Sequence, residues 1–260
     1  LVTGVQTCAL PIWIGGFPAI ADAVRTVATS GARRLSPFTV PAFLANLAAG
    51  HISIRYGYKG AIGAPVTACA ASVQAIGDAA RLIRSDEADV AICGGAEACI
   101  DPVSLGGFAA ARALSTSFND EPARASRPFD RDRDGFVMAE GAGALVLESY
   151  DAAIARGARI LGVVAGCGEL TDSFHRTRSA PDGKPAIGCV RKTLADAGME
   201  PEQIDHINAH GTSTPENDKM EYLATSAVFG EHTKNIPVSS NKSMVGHTIS
   251  AAGAVEAIFS

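Results

Sequence analysis

Apolar and polar positions alternate along the chain with two periods, one typical of helices and one typical of strands. After residue 70, for example, Val73, Ile76, Ala80 and Ile83 recur at helical spacing. Because helix-like and strand-like runs follow one another, the pattern predicts an α/β fold. The predicted helices are Pro18 to Ala28, Val73 to Ile83, Ala186 to Ala197, Asn217 to Phe229 and Ala251 to Phe259. The predicted strands are Gly60 to Val66, Asp89 to Cys93, Ala144 to Leu147, Ile160 to Cys167, Ile204 to Ala209 and Ile236 to Val238.

A cysteine lies between the first of these strands and the helix after it, in the block Thr67-Ala68-Cys69-Ala70-Ala71-Ser72. A lone cysteine is most often a small buried hydrophobe. At the start of a helix, however, unpaired N–H groups and the helix dipole favour the thiolate, which is the nucleophilic form. Cys69 is therefore a candidate nucleophile, with tight packing by the flanking alanines as the structural alternative.

Two histidine blocks follow further along the chain. Residues 208–214 read Asn-Ala-His-Gly-Thr-Ser-Thr and include His210, and residues 242–247 read Lys-Ser-Met-Val-Gly-His and end at His247. A single histidine is more often structural than catalytic. One thiol followed by two imidazoles nevertheless favours a function in moving acyl groups.

These three blocks resemble those of the β-ketoacyl-acyl carrier protein synthases of fatty acid synthesis, most closely the elongating type II branch. The likeness runs from about Ile14 to Ser260 and implies a thiolase-like α/β fold, with two similar halves of mostly parallel sheet covered by helices. It assigns residues 14–150 to an incomplete N-terminal half with the nucleophile and 151–260 to an incomplete C-terminal half with both histidines. Further matching stretches are Ser36 to Phe38, Gly94 to Glu97, Gly107 to Ser115, Arg127 to Asp130, Asp134 to Val137 and Gly141 to Ala144.

The resemblance implies a decarboxylative Claisen condensation as the activity. Cys69 would take an acyl chain from a carrier thioester, and the enolate formed from a malonyl-carrier would attack it. His210 and His247 would stabilise the enolate oxygen. Lys242 would order the site together with two acidic residues, Asp218 and Glu221, of which Glu221 would be its partner. Without the resemblance, Asp218 and Glu221 would be the solvated start of a helix.

Other residues match the family's binding positions. Thr212 and Thr214 match hydroxyls that bind the phosphopantetheine arm, although two such hydroxyls could instead cap the helix near Pro215. Phe108 matches an aromatic that lines the acyl pocket, although such a residue can simply pack. No cofactor is implied in the chain, because the acyl carrier protein supplies phosphopantetheine. Arg33, Arg34 and Arg112 match positions that dock the carrier, with a solvated turn as the alternative for the first two; Asn208 and Glu256 resemble a monovalent-cation site.

The two histidines discriminate between branches of the superfamily, because initiating synthases pair His with Asn and thiolases pair His with Cys. Ala70, Ala71 and Ser213 favour discrete fatty acid synthesis over modular polyketide synthesis. A polyketide-type ketosynthase remains an alternative. So do a non-catalytic chain-length partner, which typically lacks the cysteine, and an inactive fragment.

Both ends of the sequence affect this interpretation. Residues 1–13 resemble a translated sequencing adapter and are predicted to be non-native, with a genuine buried strand from Leu1 to Thr7 as the alternative. We also expect truncation at both ends relative to the family. The family's late glycine-rich loop, which would supply a second N–H to the oxyanion hole beside that of Cys69, is not part of the sequence.

Composition agrees with an enzyme core: 47% of residues are hydrophobic, 19% are charged and 27 are glycine. A net charge of −5 argues against nucleic acid as the main ligand. The six cysteines have no CxxC spacing, so we expect reduced thiols and no zinc site. No run of 18 apolar residues and no secretory signal is present, so we expect a cytoplasmic protein with no membrane span. The resemblance to the family implies a homodimer.

Overall fold

The computed structural model describes residues 5–12 and 14–260 and divides into two compact units. Unit 1 contains the described residues up to Ala111 together with Met138–Gly162 and Thr248–Ser260, and unit 2 contains Arg112–Val137 and Val163–His247. The strands are β1 (Gln6–Ala9), β2 (Ile62–Gly63), β3 (Val90–Glu97), β4 (Gly141–Glu148), β5 (Ile207–Asn208) and β6 (Val238–Ser239). The helices are α1 (Phe17–Ser30), α2 (Leu47–Tyr56), α3 (Ala71–Arg84), α4 (Pro102–Ala110), α5 (Tyr150–Ala155), α6 (Lys184–Ala197), α7 (Pro215–Phe229), α8 (Lys242–Val245) and α9 (Ala252–Phe259).

Unit 1 is built on a four-stranded sheet with the order β2-β1-β3-β4. The first three strands are parallel, and β4 is antiparallel to β3 along its whole length. Successive side chains of a strand point to opposite faces, so Ala9 and Cys93 pack beneath α3, whereas Cys8 packs on the other face with α2. The sheet is therefore covered by helices on both faces, as the sequence predicts for an α/β fold.

Small residues allow α3 to lie very close to this sheet and α9 to lie very close to α3. A Cβ placed on Gly95 would come within 2.8 Å of Ser72 Cβ, and one placed on Gly253 would come within 2.2 Å of Val73. Ser72 Oγ also accepts a hydrogen bond of 3.0 Å from Ala254 N. The start of α3, which follows Cys69 directly, is thus fixed by backbone-level packing.

Unit 2 contains the parallel pair β5 and β6, with Ile207 opposite Val238. Its core, formed by Leu194, Phe229 and Ile236, lies between α6, α7 and the pair. This core fixes the C-terminal end of β5, where the first histidine block begins.

One predicted strand is wrong. Residues 160–167 form no strand, and Cys167 N donates instead to the Asp196 carboxylate at 2.8 Å. Leu161 is 86% exposed and Val163 is 68% exposed, so the apolar residues that suggested a strand are not paired within the described chain. The other predicted elements are present, although β2, β5 and β6 are only two residues long.

Two sequence-based predictions concern the non-native residues at the start of the chain and the division of the chain into two halves. Strand β1 lies inside residues 1–13, whose non-native origin stays a prediction, and residues 1–4 and 13 lie outside the described residues. The two compact units interleave along the chain, because Arg112–Val137 groups with the second unit and Met138–Gly162 with the first. Of the helices described, none is long and apolar enough to cross a membrane.

Candidate active site

Cys69 lies in unit 1 at the predicted place, in a single helical turn, Ala68–Ala70, that leads directly into α3. Ala68 has a φ of 51°, which is uncommon for a residue with a Cβ and costs on the order of 1–3 kcal/mol. Thr67 Oγ1 donates to Gln74 Oε1 at 2.8 Å and ties the turn to the first part of α3. The partly buried Cys69 thiol is thus presented at a strained turn beside a helix N-terminus.

The first histidine block in unit 2 is held by a partly buried carboxylate. His210 N and Gly211 N donate to the two oxygens of Glu221 at 2.6 and 2.8 Å. Burial raises the pKa of Glu221, and the bonds from Gly211 and His210 and the nearby charge of Lys242 partly oppose this effect. Glu221 therefore fixes the main chain on both sides of the His210 imidazole.

Lys242, only 2% exposed, orients the imidazole itself. Its ammonium donates to the His210 carbonyl oxygen at 2.6 Å and lies 3.3 Å from His210 Nδ1. Because an ammonium has donors and no acceptor, Nδ1 must accept in this contact. The proton of the neutral imidazole is then on Nε2, which becomes a hydrogen-bond donor.

His247 is buried beside His210. The two ring centroids are 5.2 Å apart with the rings nearly perpendicular, and Phe136 packs on His247 at 5.3 Å. His247 N donates to the Val137 carbonyl oxygen at 2.8 Å. Burial and the Lys242 charge lower the pKa of His247 to about 3, and burial, Lys242 and His247 lower the pKa of His210 well below its usual value. Both imidazoles are consequently neutral at pH 7.

Asp218, which the sequence places in the same network as Glu221, contacts a different part of the chain. It is 1% exposed and accepts from Phe129 N at 2.7 Å and from Asn217 Nδ2 at 3.1 Å. Its carboxylate also lies 3.5 Å from Arg133 Nε. Asp218 thus binds the loop that precedes Phe136. Sequence reasoning missed this use of Arg133, because the run Arg131-Asp132-Arg133-Asp134 is typical of a solvated surface.

The two threonines lie together in the second half of the first histidine block. Thr212 Oγ1 and Thr214 Oγ1 are 2.9 Å apart, and Thr214 Oγ1 accepts from Asn217 N at 3.3 Å. The structure therefore confirms the helix-capping alternative for Thr214. The pantetheine-binding role of both hydroxyls stays a prediction.

Comparison with known proteins identifies the family. A sequence model described as beta-ketoacyl synthase, N-terminal domain, matches residues 2–153, and the corresponding C-terminal domain model matches residues 161–260. The chain belongs to the beta-ketoacyl synthase family.

Curated relatives of this synthase-family chain share about 50% sequence identity with it. The 3-oxoacyl-[acyl-carrier-protein] synthase 2 of Synechocystis is 49% identical over 94% of the chain and 59% of the relative. That of Rhizobium meliloti is 51% identical over 95% of the chain and 58% of the relative. The mitochondrial 3-oxoacyl-[acyl-carrier-protein] synthase of Arabidopsis thaliana is 48% identical over 95% of the chain and 54% of the relative. The chain thus spans between half and two thirds of these relatives.

Solved structures of ketosynthases share the fold. A type II PKS acyl-carrier protein in complex with its ketosynthase bound to the hexaketide matches with a TM-score of 0.93 and 34% identity, covering 98% of this chain and 64% of that one. A beta-ketoacyl synthase from Burkholderia phymatum matches with a TM-score of 0.91 and 35% identity, covering 98% of this chain and 61% of that one. The thiolase-like fold expected from the sequence is confirmed.

The remaining predicted residues lie on several elements of the two units. Phe108 is partly buried in α4. The proposed docking residues are exposed: Arg33 and Arg34 lie in a short helical turn of unit 1, and Arg112 lies at the start of unit 2 with a φ of 54°. Asn208 lies in β5 and Glu256 in α9, and the cation site formed by them stays a prediction.

Proposed function

We propose that the protein containing this chain is a 3-oxoacyl-[acyl-carrier-protein] synthase that elongates fatty acids by decarboxylative condensation. The observation that carries the proposal is the pair of neutral imidazoles in unit 2, the partly buried His210 and the buried His247, of which His210 has its Nε2 proton assigned by Lys242. The curated relatives, which bear this name and are 48–51% identical, support the same reaction.

The reaction has two stages in this proposal. The Cys69 thiolate first attacks the carbonyl carbon of an acyl-carrier thioester, and the carrier thiol leaves as the Cys69 thioester forms. The malonyl-carrier then loses carbon dioxide, and the electron pair of the broken C–C bond forms an enolate. The enolate carbon attacks the Cys69 thioester, which releases the Cys69 thiolate and the β-ketoacyl-carrier.

The histidines act on the oxygen of that enolate. Neutral N–H donors that are already oriented stabilise developing negative charge without reorganisation, and removal of one such donor typically costs about 3 kcal/mol. A protonated histidine would instead form an ion pair and could transfer its proton to the enolate oxygen. The low pKa values of His210 and His247 therefore suit a donor role better than general acid catalysis.

The partner in this proposal is an acyl carrier protein, loaded with acyl or malonyl groups on its phosphopantetheine arm. Support comes from the solved ketosynthase that was captured with its acyl-carrier protein. Arg33, Arg34 and Arg112 would meet the acidic carrier, and Thr212 and Thr214 would bind the arm. The chain itself would need no cofactor, and the complete protein would be a cytoplasmic homodimer.

A polyketide-type ketosynthase is the second candidate, because one of the matching solved structures is a type II PKS ketosynthase. Its identity to the chain is 34%, compared with about 50% for the 3-oxoacyl-[acyl-carrier-protein] synthase 2 relatives. A chain-length partner is disfavoured by the presence of Cys69.

The test uses a reading frame that carries these 260 residues, assayed with acyl-carrier and malonyl-carrier. We expect one round of condensation from the wild type, no acyl-enzyme from Cys69→Ala, and acyl-enzyme without condensation from His210→Ala and His247→Ala. Condensation by Cys69→Ala would contradict the mechanism. Products with several unreduced keto groups would favour the polyketide alternative, and iodoacetamide labelling of Cys69 in the 260-residue chain alone would show whether this chain keeps a reactive thiol.

A further inference from the structure

One loop of unit 2 contacts both histidine blocks. We call residues 126–137 the clamp loop. At its start, Ser126 Oγ donates to the Lys242 carbonyl oxygen and Arg127 N donates to Ser213 Oγ at 3.0 Å. At its end, Val137 accepts from His247 N at 2.8 Å and Phe136 packs on the His247 ring. The position of the loop therefore sets the surroundings of both imidazoles.

The middle of the clamp loop is attached to α7 through one guanidinium. Arg133 donates to the carbonyl oxygens of Thr214 at 3.2 Å and Pro215 at 3.0 Å, and within the loop to that of Asp130 at 2.8 Å. It also faces the buried Asp218 carboxylate. The Arg133 side chain is only 19% exposed, whereas that of Arg131, two residues earlier, is 92% exposed. Arg133 is thus the arginine of the charged run that the fold has turned inward.

The main chain of the clamp loop is irregular, so side-chain contacts such as those of Arg133 are needed to hold it in place. Phe129 has a φ of 63°, and its ring lies where a Cβ on Gly211 would approach it to 3.1 Å. Phe129 N is held by Asp218, the same carboxylate that faces Arg133. Asp218 and Arg133 therefore fix the strained residue that packs on the main chain after His210.

We propose that Arg133 is a positioning residue, which holds the clamp loop against both histidine blocks and so keeps His210 and His247 in the geometry needed for enolate stabilisation. The inference rests on the proposed function, because it assigns Arg133 a task in the same reaction. In this proposal Arg133 acts through Asp218, Phe129 and Phe136. Lysine cannot replace it fully, since a single ammonium lacks the planar set of donors that reaches several carbonyl oxygens and a carboxylate together.

The test follows the imidazoles directly by NMR titration of the 260-residue chain labelled with ¹⁵N in histidine, with His247→Gln used for assignment. In the wild type we expect His247 to stay neutral to below pH 5. Arg133→Met removes every donor, and Arg133→Met/Asp218→Asn also removes the buried charge that the single variant would leave uncompensated. In both variants we expect water to reach His247 and its pKa to rise by more than one pH unit towards the ordinary value. The matched control is Arg131→Met, which should leave the titration unchanged.

A folded double variant whose His247 titrates as in the wild type would overturn the proposal, and so would an ordinary pKa in the wild type itself. In the complete protein, we expect Arg133→Met to lower kcat for condensation about 100-fold, as misplacement of catalytic groups by about 1 Å can do, while KM for the carrier stays the same. Arg133→Lys should recover part of this loss. If the wild type fails to condense, the proposed function fails, whereas the titration still decides the role of Arg133.

Discussion

Lys242 determines which nitrogen of His210 carries the proton, since its ammonium can only donate to Nδ1. The same charge lowers the pKa of both histidines, although burial has the larger effect on each. Lys242 therefore sets the direction of the His210 donor and adds to the effect of burial that keeps both imidazoles neutral. In the proposed mechanism the histidines must stay neutral, which gives a physical reason for a lysine beside them.

Replacement of this lysine provides the first prediction. Lys242→Met keeps the apolar stem and removes the charge, so we expect the pKa of His247 to rise from about 3 but to stay below 6.5, because burial persists. The Nδ1 and Nε2 tautomers of His210 should then become mixed. Histidine ¹⁵N shifts measure both effects, and Lys184→Met, which alters an exposed lysine paired with Asp182, serves as the control. An unchanged His210 tautomer would show that Lys242 does not select it.

The buried histidines also make stability depend on pH. His247 has a lower pKa in the folded chain than the ordinary 6.5, so the unfolded chain binds more protons between pH 6.5 and about 3. The stability associated with the neutral imidazole is therefore complete above pH 6.5 and is lost as the pH falls. For this one group the loss is about 1.4 kcal/mol per pH unit, or about 2 kcal/mol at pH 5.

Denaturant unfolding at pH 7 and pH 5 measures this loss as a difference in the free energy of unfolding. His247→Gln has no titrating group at this position, so its stability should fall less between the two pH values than that of the wild type. His175→Gln, which changes an exposed histidine, should behave like the wild type. Equal pH dependence in all three proteins would refute the buried neutral state of His247.

At the scale of elements, Thr214 supports a helix that carries two residues of the candidate site. Its hydroxyl caps α7, the helix that carries Asp218 and Glu221. We expect Thr214→Ala to lower the free energy of unfolding by about 1 kcal/mol, whereas Thr214→Ser keeps the cap. Thermal unfolding of the two variants measures the difference. If serine destabilises the chain as much as alanine, the methyl group rather than the cap is responsible.

The long helices could be predicted from the sequence, because their periodicity is local. Predicted and observed bounds of α3, α6 and α7 differ by no more than two residues at either end. The strand predicted for residues 160–167 is absent, because an apolar run becomes a strand only when another strand pairs with it. The histidine blocks and Cys69 were found from their motifs. The roles of Arg133 and Phe136 were missed, because burial of a side chain among residues about 80 to 110 positions away leaves no local pattern.

At the scale of the whole molecule, the proposed carrier interaction depends on charge at the surface. The chain has a net charge of −5, so an acidic carrier would be repelled unless arginines are concentrated where it docks. Arg33 and Arg34 are adjacent and exposed, with no acidic partner among the described residues, and Arg112 is also exposed. These residues would accelerate docking and would not take part in the bond-making steps.

Charge-reversal variants distinguish an effect on carrier docking from an effect on the condensation steps. For the complete protein we expect Arg33→Glu/Arg34→Glu and Arg112→Glu each to raise KM for the acyl-carrier several-fold, with kcat unchanged, because exposed charges mainly affect the rate of encounter. The wild-type KM should rise with ionic strength, and the variants should lose much of this salt dependence. Acyl groups on a short pantetheine thiol carry no acidic surface, so their KM should be the same in all proteins. Arg191→Glu, an exposed change on α6, controls for net charge, and an equal rise in KM from this variant would mean that overall charge, rather than a docking patch, governs the encounter.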